Sequence, residues 1–435
     1  MDGIILSSLC KALTRLEKLW RCYNIKTMAK DRHIGKVTKC QICGSPKLKP
    51  IISFGHHPPC DSLVDQKGLH APEIFFPLNL VRCLKCGLAQ LDYIVPPELV
   101  FHPKYPYRTG ITKMLTDNFK ELAETLIKKY KLKKGDLIID IGSNDGTALK
   151  PFKARGMRVL GVEPTDICKI ARKDGIDTIK AFFTREVARK IAKKYGKAKV
   201  IIATNVFAHV AELPSFMQGL KTLLTPGGSF VSESQYLPDT IQKLQYDTVY
   251  HEHLRYYSLK PLAFLFKKYG FALADAERIA SSGGSIRVFA TKGKGRVSPR
   301  VRELIKTEEK FGLYNEAAFK RFKKQVETSR FLLVKLLNEL KLKGKSVAGV
   351  GSPGRSSTIM NYCHLDPALI PYVAEQSTSL KLGLFTPGTH LPVIDEKKLF
   401  RDQPDYALIF SWHIGKELMK KLRQKGLKSK FIFPI

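Results

Sequence analysis

No apolar run among the 435 residues approaches the roughly 20 residues a membrane-spanning helix needs, which excludes a transmembrane protein. Short-period repeats and low-complexity tracts are absent too. The first 35 residues lack both a long apolar core and a small-residue cleavage site, so no signal peptide is expected. Acidic residues are scarce, 39 against 74 basic ones, leaving a net charge of +35. That balance favours anionic partners: nucleic acid, an acidic membrane surface or a phosphorylated small substrate. The basic residues are spread along helical faces instead of forming a tail. The densest group, Lys128, Lys129, Lys131, Lys133 and Lys134, reads as a solvated face, so charge alone does not establish nucleic-acid binding.

With 44% hydrophobic residues the chain is globular, and its length suggests roughly three domains, ample for cores that need no disulfide framework. Four of the nine cysteines form two C-x-x-C pairs. The other five (Cys10, Cys22, Cys60, Cys168 and Cys363) are an odd, unpatterned set, which argues for a reducing, cytoplasmic setting.

Residues 1–36 carry Leu6, Leu9, Leu13, Leu16, Leu19 and Trp20 at helical spacing among basic residues. They are expected to be a poorly ordered basic extension in preference to a membrane-surface helix. Residues 37–110 are rich in Pro, Gly, Cys and His, as suits a small metal-held module. An amphipathic helix follows over about 113–131, then α/β alternation with strands at Leu137–Ile141, Arg158–Val162, Val200–Ala203 and Ser229–Glu233. A long charged helical stretch at about 299–341 leads to a second α/β block with strands at Ser346–Gly349, Pro371–Ala374 and Tyr406–Ser411. The expected layout is therefore 37–110, 111–298 and 299–435 after the extension.

Cys40-Gln-Ile-Cys43-Gly and Cys83-Leu-Lys-Cys86-Gly repeat one pattern with 39 residues between them. Each turn converges two thiols, and the following glycine tolerates a left-handed backbone. Together they offer the four soft ligands of a closed, structural zinc site, with the intervening segment looping out. His56, His57 and His70 are potential substitute ligands but default to the surface.

The strand ending at Asp140 runs into Gly142, Asn144, Asp145 and Gly146, and Glu163 closes the next strand. Gly142 leaves room for a ligand near the backbone, and Glu163 can accept two ribose hydroxyls. This loop lacks G-x-G-x-x-G and fits S-adenosylmethionine better than a dinucleotide. A second loop, Gly349-Val-Gly351-Ser-Pro-Gly354-Arg355, does match that fingerprint, with Glu375 about twenty residues on. An NAD site and a phosphate or nucleotide-sugar contact both remain open there.

Asn205-Val-Phe-Ala-His209 follows a predicted strand, where open α/β sheets bind ligands. Tyr250-His251-Glu252-His253 packs a phenol, a carboxylate and two imidazoles into four residues, a composition that favours acid/base chemistry over packing. The i, i+2 histidines do not match H-E-x-x-H, so a metalloprotease is not expected. Tyr105 and Tyr107 can reach a neighbouring site.

These motifs, in this order, resemble the sugar C-methyltransferases that act on nucleotide-linked 4-keto-deoxysugars, over about 37–433. Also matching are Gly283-Gly284-Ser285-Ile-Arg287, Asn361-Tyr362, Pro387-Gly388-Thr389-His390 and Pro404-Asp405-Tyr406. The resemblance implies an α/β enzyme with an N-terminal zinc module, a class I S-adenosylmethionine methyltransferase domain of Rossmann-like form, and a C-terminal Rossmann-like domain holding the substrate. It implies His253 as general base with Glu252 orienting it, and Tyr250, His209 and Tyr105 or Tyr107 lining the sugar. Asp140, Gly142, Asn144, Asp145, Glu163 and Asn205 would bind the methyl donor. Arg355, Asn361, Tyr362 and His390 would bind the nucleotide sugar. Four positions depart from the family pattern: Cys60 where Asn is expected, Arg355 for Lys, Ser282 for His, and Ser411-Trp412-His413 for L-x-W-N.

The expected protein is a cytoplasmic monomer or homodimer that transfers methyl to carbon, with zinc in a structural role and no specific nucleic-acid partner. The rival readings are an O- or N-methyltransferase acting on an acceptor such as RNA, and a non-catalytic nucleotide-binding scaffold.

Overall fold

A computed structural model describes residues 34–435 except 104, 111 and 112; the expectation for the N-terminal extension lies almost entirely outside the described residues. Between the cysteine pairs the chain does not merely loop out. Leu48–His57 and Phe76–Cys83 pair as a long antiparallel ladder, which brings Cys43 and Cys83 together despite their separation. Ala89–Leu91 and Arg255–Tyr256 extend that sheet. The last strand comes from far along the chain, one residue beyond Tyr250-His-Glu-His. Its residues Arg255 and Tyr256 sit opposite Gln90 and Ala89.

The central unit is a seven-stranded sheet in the spatial order 271–279, 285–292, 224–235, 198–204, 137–141, 158–163, 178–180. Ser285–Lys292 runs antiparallel to its neighbours; the others share one direction. Leu-Ile-Ile-Asp-Ile at 137–141 is buried at every position, as a central parallel strand requires. Its two neighbours, 158–163 and 198–204, leave in opposite connectivity directions, so a crevice opens beyond the end of Ile141. The amphipathic helix Lys113–Tyr130 closes one face through Leu115, Phe119, Leu122, Ala123 and Leu126. On the other face Phe207, Phe216, Phe230 and Phe266 pack with ring centroids 5.2–6.3 Å apart. Each such buried ring contributes about 1.5–3 kcal/mol.

The C-terminal unit is a five-stranded parallel sheet in the order 393–395, 373–375, 347–350, 406–409, 430–432. The helical stretch predicted ahead of it is two helices, Pro299–Lys310 and Ala317–Leu342. Gly312, at φ +80°, turns the chain between them, and periodicity alone does not register that break. No helix among the described residues is long and apolar enough to cross a membrane.

Candidate active site

The sulfurs of Cys40, Cys43, Cys83 and Cys86 all lie within 4.8 Å of one another, with 3.5 Å between Cys40 and Cys86 and between Cys43 and Cys83. Gly44 and Gly87 follow the pairs at φ +74° and +82°, and their amides close onto the Cys40 and Cys83 carbonyls. Four converging thiols fit a tetrahedral zinc, whose chemistry there would be a structural cross-link. None of the three intervening histidines joins the cluster. His57 is buried and bonded through Nε2 to the Phe54 carbonyl oxygen at 3.0 Å.

A cavity of about 660 Å³ lies beyond the C-terminal ends of the central strands and is walled by all three units. Its floor is the first glycine loop. Gly142 sits at φ +72°, and a Cβ there would meet a Val206 methyl at 2.3 Å, so neither backbone nor space admits a side chain. Asn144 and Asn205 hold left-handed conformations at φ +50° and +56°. Glu163 is buried and accepts from the Asn144 amide (3.0 Å), the Thr165 amide (2.9 Å) and the Thr165 hydroxyl (2.6 Å). Asp140 Oδ1 is buried with no partner among the described residues. Burial, with Glu163 and Glu233 nearby, pushes the Asp140 carboxyl well above its usual range. An unpartnered buried carboxyl and a second buried acid at a stripped-down glycine turn fit a ligand that brings its own positive charge and ribose hydroxyls, as S-adenosylmethionine does.

Asp145 is placed differently from expectation. It is not on the cavity wall but accepts from the Gly110 amide at 2.9 Å and from Thr147, while Asn144 Oδ1 accepts from the Thr109 amide at 2.9 Å. Together they staple the 107–110 segment over the donor region, a role that a loop motif does not reveal.

On the opposite wall His253 is buried, and its Nδ1–H donates to the Thr248 carbonyl at 2.7 Å. A carbonyl only accepts, so this bond fixes the tautomer and leaves the lone pair on Nε2. Burial draws the imidazole down to about 4, so it is neutral at physiological pH. His209 stacks on it at 4.9 Å and Tyr250 lies at 4.1 Å, centroid to centroid. Burial, then the neighbouring His253, holds His209 well below the usual histidine range. Phe101 stacks on the other face of His209 at 5.7 Å.

Glu252 does not orient His253. Its carboxyl accepts from the Tyr105 hydroxyl at 2.9 Å and the Cys60 thiol at 3.2 Å, because adjacent residues 252 and 253 point to different partners. The Thr248 carbonyl does the orienting instead, and a main-chain acceptor leaves no signal in a sequence. Burial pushes the Tyr250 and Tyr105 phenols well above their ordinary value, and Tyr107 up to about 12, so all three stay protonated donors.

From the C-terminal unit, Arg355, Lys381 and His413 reach the cavity. Arg355 forms a fork on Asp247 at 2.6 and 2.8 Å, and Trp412 Nε1–H donates to the same carboxylate at 2.8 Å. The structure leaves Asn361, Tyr362 and His390 outside the cavity. Asn361 spends its amide on Ser357 and Pro387, Tyr362 packs on Phe54 and Tyr246 under Arg330, and His390 pairs with Glu73. Glu375 accepts from the Ser352 amide at 2.7 Å, so it caps the second glycine loop itself.

Successive parts of the chain match a zinc binding domain (residues 40–101), a methyltransferase domain (109–276) and a C-methyltransferase C-terminal domain (280–435). The chain is 31% identical to the C-methyltransferase NovU of Streptomyces niveus over 405 residues, spanning 92% of this chain and 96% of the relative. This chain belongs to the C-methyltransferase family. It is an S-adenosylmethionine-dependent methyltransferase of class I fold, with a zinc binding domain at its N-terminal side. Among solved structures it is similar to magnesium protoporphyrin IX methyltransferase of Synechocystis PCC 6803 with bound SAH (15% identity, TM-score 0.33, 41% of this chain and 83% of that one). It is also similar to the PH0226 protein of Pyrococcus horikoshii (15% identity, TM-score 0.35, 43% of this chain and 95% of that one).

Proposed function

We propose that this methyltransferase acts on a carbon next to the ketone of a deoxysugar carried by a nucleoside diphosphate. The observation that supports this most is His253: a buried neutral imidazole with its tautomer fixed and Nε2 free, surrounded by protonated phenols. Methylation of oxygen or nitrogen uses lone pairs already present, whereas a carbon acid needs a base of this kind.

In this reading His253 Nε2 takes the α-proton, and the Tyr250 or Tyr105 hydroxyl donates to the enolate oxygen as charge develops there. His209, held between Phe101 and His253, lines the sugar. Asp140, Gly142, Asn144, Glu163 and Asn205 bind the methyl donor, and Asp145 secures the segment above it. When bound, S-adenosylmethionine supplies the electrophilic methyl that the nucleophilic carbon takes. The walls exclude water from the enolate, and Arg355, Lys381 and His413 face the nucleotide portion. The three units then divide the work: zinc module for the Tyr105 wall, central sheet for donor and base, C-terminal sheet for the nucleotide.

The test is incubation of protein, S-adenosylmethionine and a panel of nucleoside-diphosphate 4-keto-6-deoxysugars in deuterated water, read by mass spectrometry and NMR. One α-proton exchanged and one methyl gained, both abolished by His253→Ala, is the expected result. Donor binding with neither change across the panel would refute the acceptor class.

A further inference from the structure

Beside the base lies a second buried cluster whose job the reading above leaves unassigned. The Cys60 sulfur and one carboxylate oxygen each from Asp61 and Glu252 all lie within 4.8 Å of one another, and all three residues are buried. Two carboxyls so close, out of water, cannot both ionise cheaply. The nearest cation decides which one does. Lys381 Nζ bonds Asp61 Oδ1 at 2.6 Å and is anchored by the Ser352 carbonyl at 2.8 Å; it makes no hydrogen bond to Glu252. The cation therefore sits on Asp61, and the proton belongs to Glu252.

We propose that the Asp61–Lys381 pair is a positioning device that keeps Glu252 in its acid form, so that Glu252 backs Tyr105 as proton donor to the enolate oxygen. This rests on the C-methylation reading above. As the α-proton moves to His253 Nε2, Tyr105, its hydroxyl turned from Glu252 to the bound ketone, passes its proton to the enolate oxygen and takes the Glu252 proton in return. When the ketone re-forms, both shifts reverse, so the net proton leaves on His253. An ionised Glu252 has no proton to return, and its charge opposes the enolate.

The groups facing Glu252 are Cys60 and Asp61 from the zinc module, Tyr105 and Tyr107 from the following segment, Tyr250 from its own and Lys381 from the C-terminal unit, with Arg355 facing Tyr250. Burial and then the Asp61 charge push the carboxyl up to about 8, against the Cys60 and Tyr105 hydrogen bonds and Lys381. Because the acid form is the working one, activity falls as pH rises through that value.

The test compares pH profiles of kcat for wild type, Asp61→Asn and Lys381→Met. Removing the Asp61 charge should move the alkaline limb to lower pH; removing the Lys381 cation should move it to higher pH and lower its plateau, since nothing then holds the proton on Glu252 alone, each limb moving by about one unit or more. A merely structural role predicts no such opposition in sign. In parallel, pH-difference infrared spectra follow the protonated-carboxyl C=O band, assigned by its loss in Glu252→Gln, and need no substrate. Limbs that move together or not at all, with a band whose titration neither variant shifts, would overturn the proposal. Opposite band shifts in a protein that methylates none of the keto sugars would overturn the acceptor reading and leave the Asp61–Lys381 assignment standing.

Discussion

Arg287→Met should be the most destabilising single change in the central unit, for a reason the hydrogen bonds make explicit. The guanidinium is 1% exposed and binds Glu233 at 2.6 Å, Glu277 at 2.9 Å, Glu121 at 2.8 Å and Asn118 at 3.2 Å. These carboxylates are not equivalent. Glu121 is 57% exposed and contributes about 0–1 kcal/mol, as surface pairs do. Glu233 is 1% exposed, and stranding it costs about 3–5 kcal/mol. Burial already pushes its carboxyl above the usual range, with Arg287 opposing the rise. Without Arg287 its folded value climbs further above the unfolded one, so the variant loses stability as pH rises between the two. Urea unfolding of the zinc-loaded protein, followed by circular dichroism, should show a larger loss at pH 8 than at pH 5.5. Arg287→Met combined with Glu233→Gln should recover most of the pH-dependent part, since Asn118 can still donate to the amide oxygen. A loss that is equal at both pH values and unrelieved by Glu233→Gln would refute the reasoning.

Gly142→Ala combines a left-handed residue at φ +72° with a methyl driven 2.3 Å from Val206, so it should weaken S-adenosylmethionine binding at least about tenfold by calorimetry. Adding Val206→Ala should recover the steric share only. Chelation of zinc, or Cys83→Ser, should slow α-proton exchange as well as lower thermal stability, because the sheet that pairs with Arg255 and Tyr256 loses its cross-link. His390→Ala should lower stability by about 1 kcal/mol or more and leave KM for the nucleotide sugar within about twofold, since its partner is Glu73 outside the cavity; a large rise in KM would return it to the substrate side.

The strands of the central sheet were legible because each is an apolar run placed between helical patterns, and Leu137–Ile141 begins and ends where periodicity puts it. The cysteine cluster was legible because duplicated spacing constrains ligand chemistry more tightly than fold. What escaped was of another kind. Thr248 acts through its carbonyl, which every residue has, and Asp61 and Lys381 are 320 positions apart and meet only in the folded cavity wall. Asn361, Tyr362 and His390 stand in motifs that point to the substrate, but a motif marks a place in the fold without saying which way its side chains face, and these three do not line the cavity. Glu252 misled for a similar reason, its neighbour His253 being adjacent in sequence but bonded elsewhere.

The base segment itself explains why three units are needed for one proton transfer. Residues 247–254 form almost no regular structure, so the local bond from His253 to the Thr248 carbonyl holds the ring only as firmly as the segment's own main chain is held. That main chain is fastened from every side. The Leu91 amide of the zinc module donates to the Leu254 carbonyl at 3.0 Å, and the Leu254 amide donates to Ala208 of the central unit at 3.1 Å. From the C-terminal unit the Thr358 hydroxyl donates to the Val249 carbonyl at 2.7 Å, while Arg355 and Trp412 hold Asp247. Loss of any one unit frees one side of this segment while leaving His253 chemically intact. A change at these bonds should therefore lower kcat with little effect on donor affinity, since Glu163 and the Gly142 loop belong to the central sheet alone. Thr358→Val tests this directly: the hydroxyl lies outside the cavity, yet kcat should fall about tenfold while S-adenosylmethionine binds as in wild type. An unchanged kcat in the folded variant would show that the segment is held without the C-terminal unit.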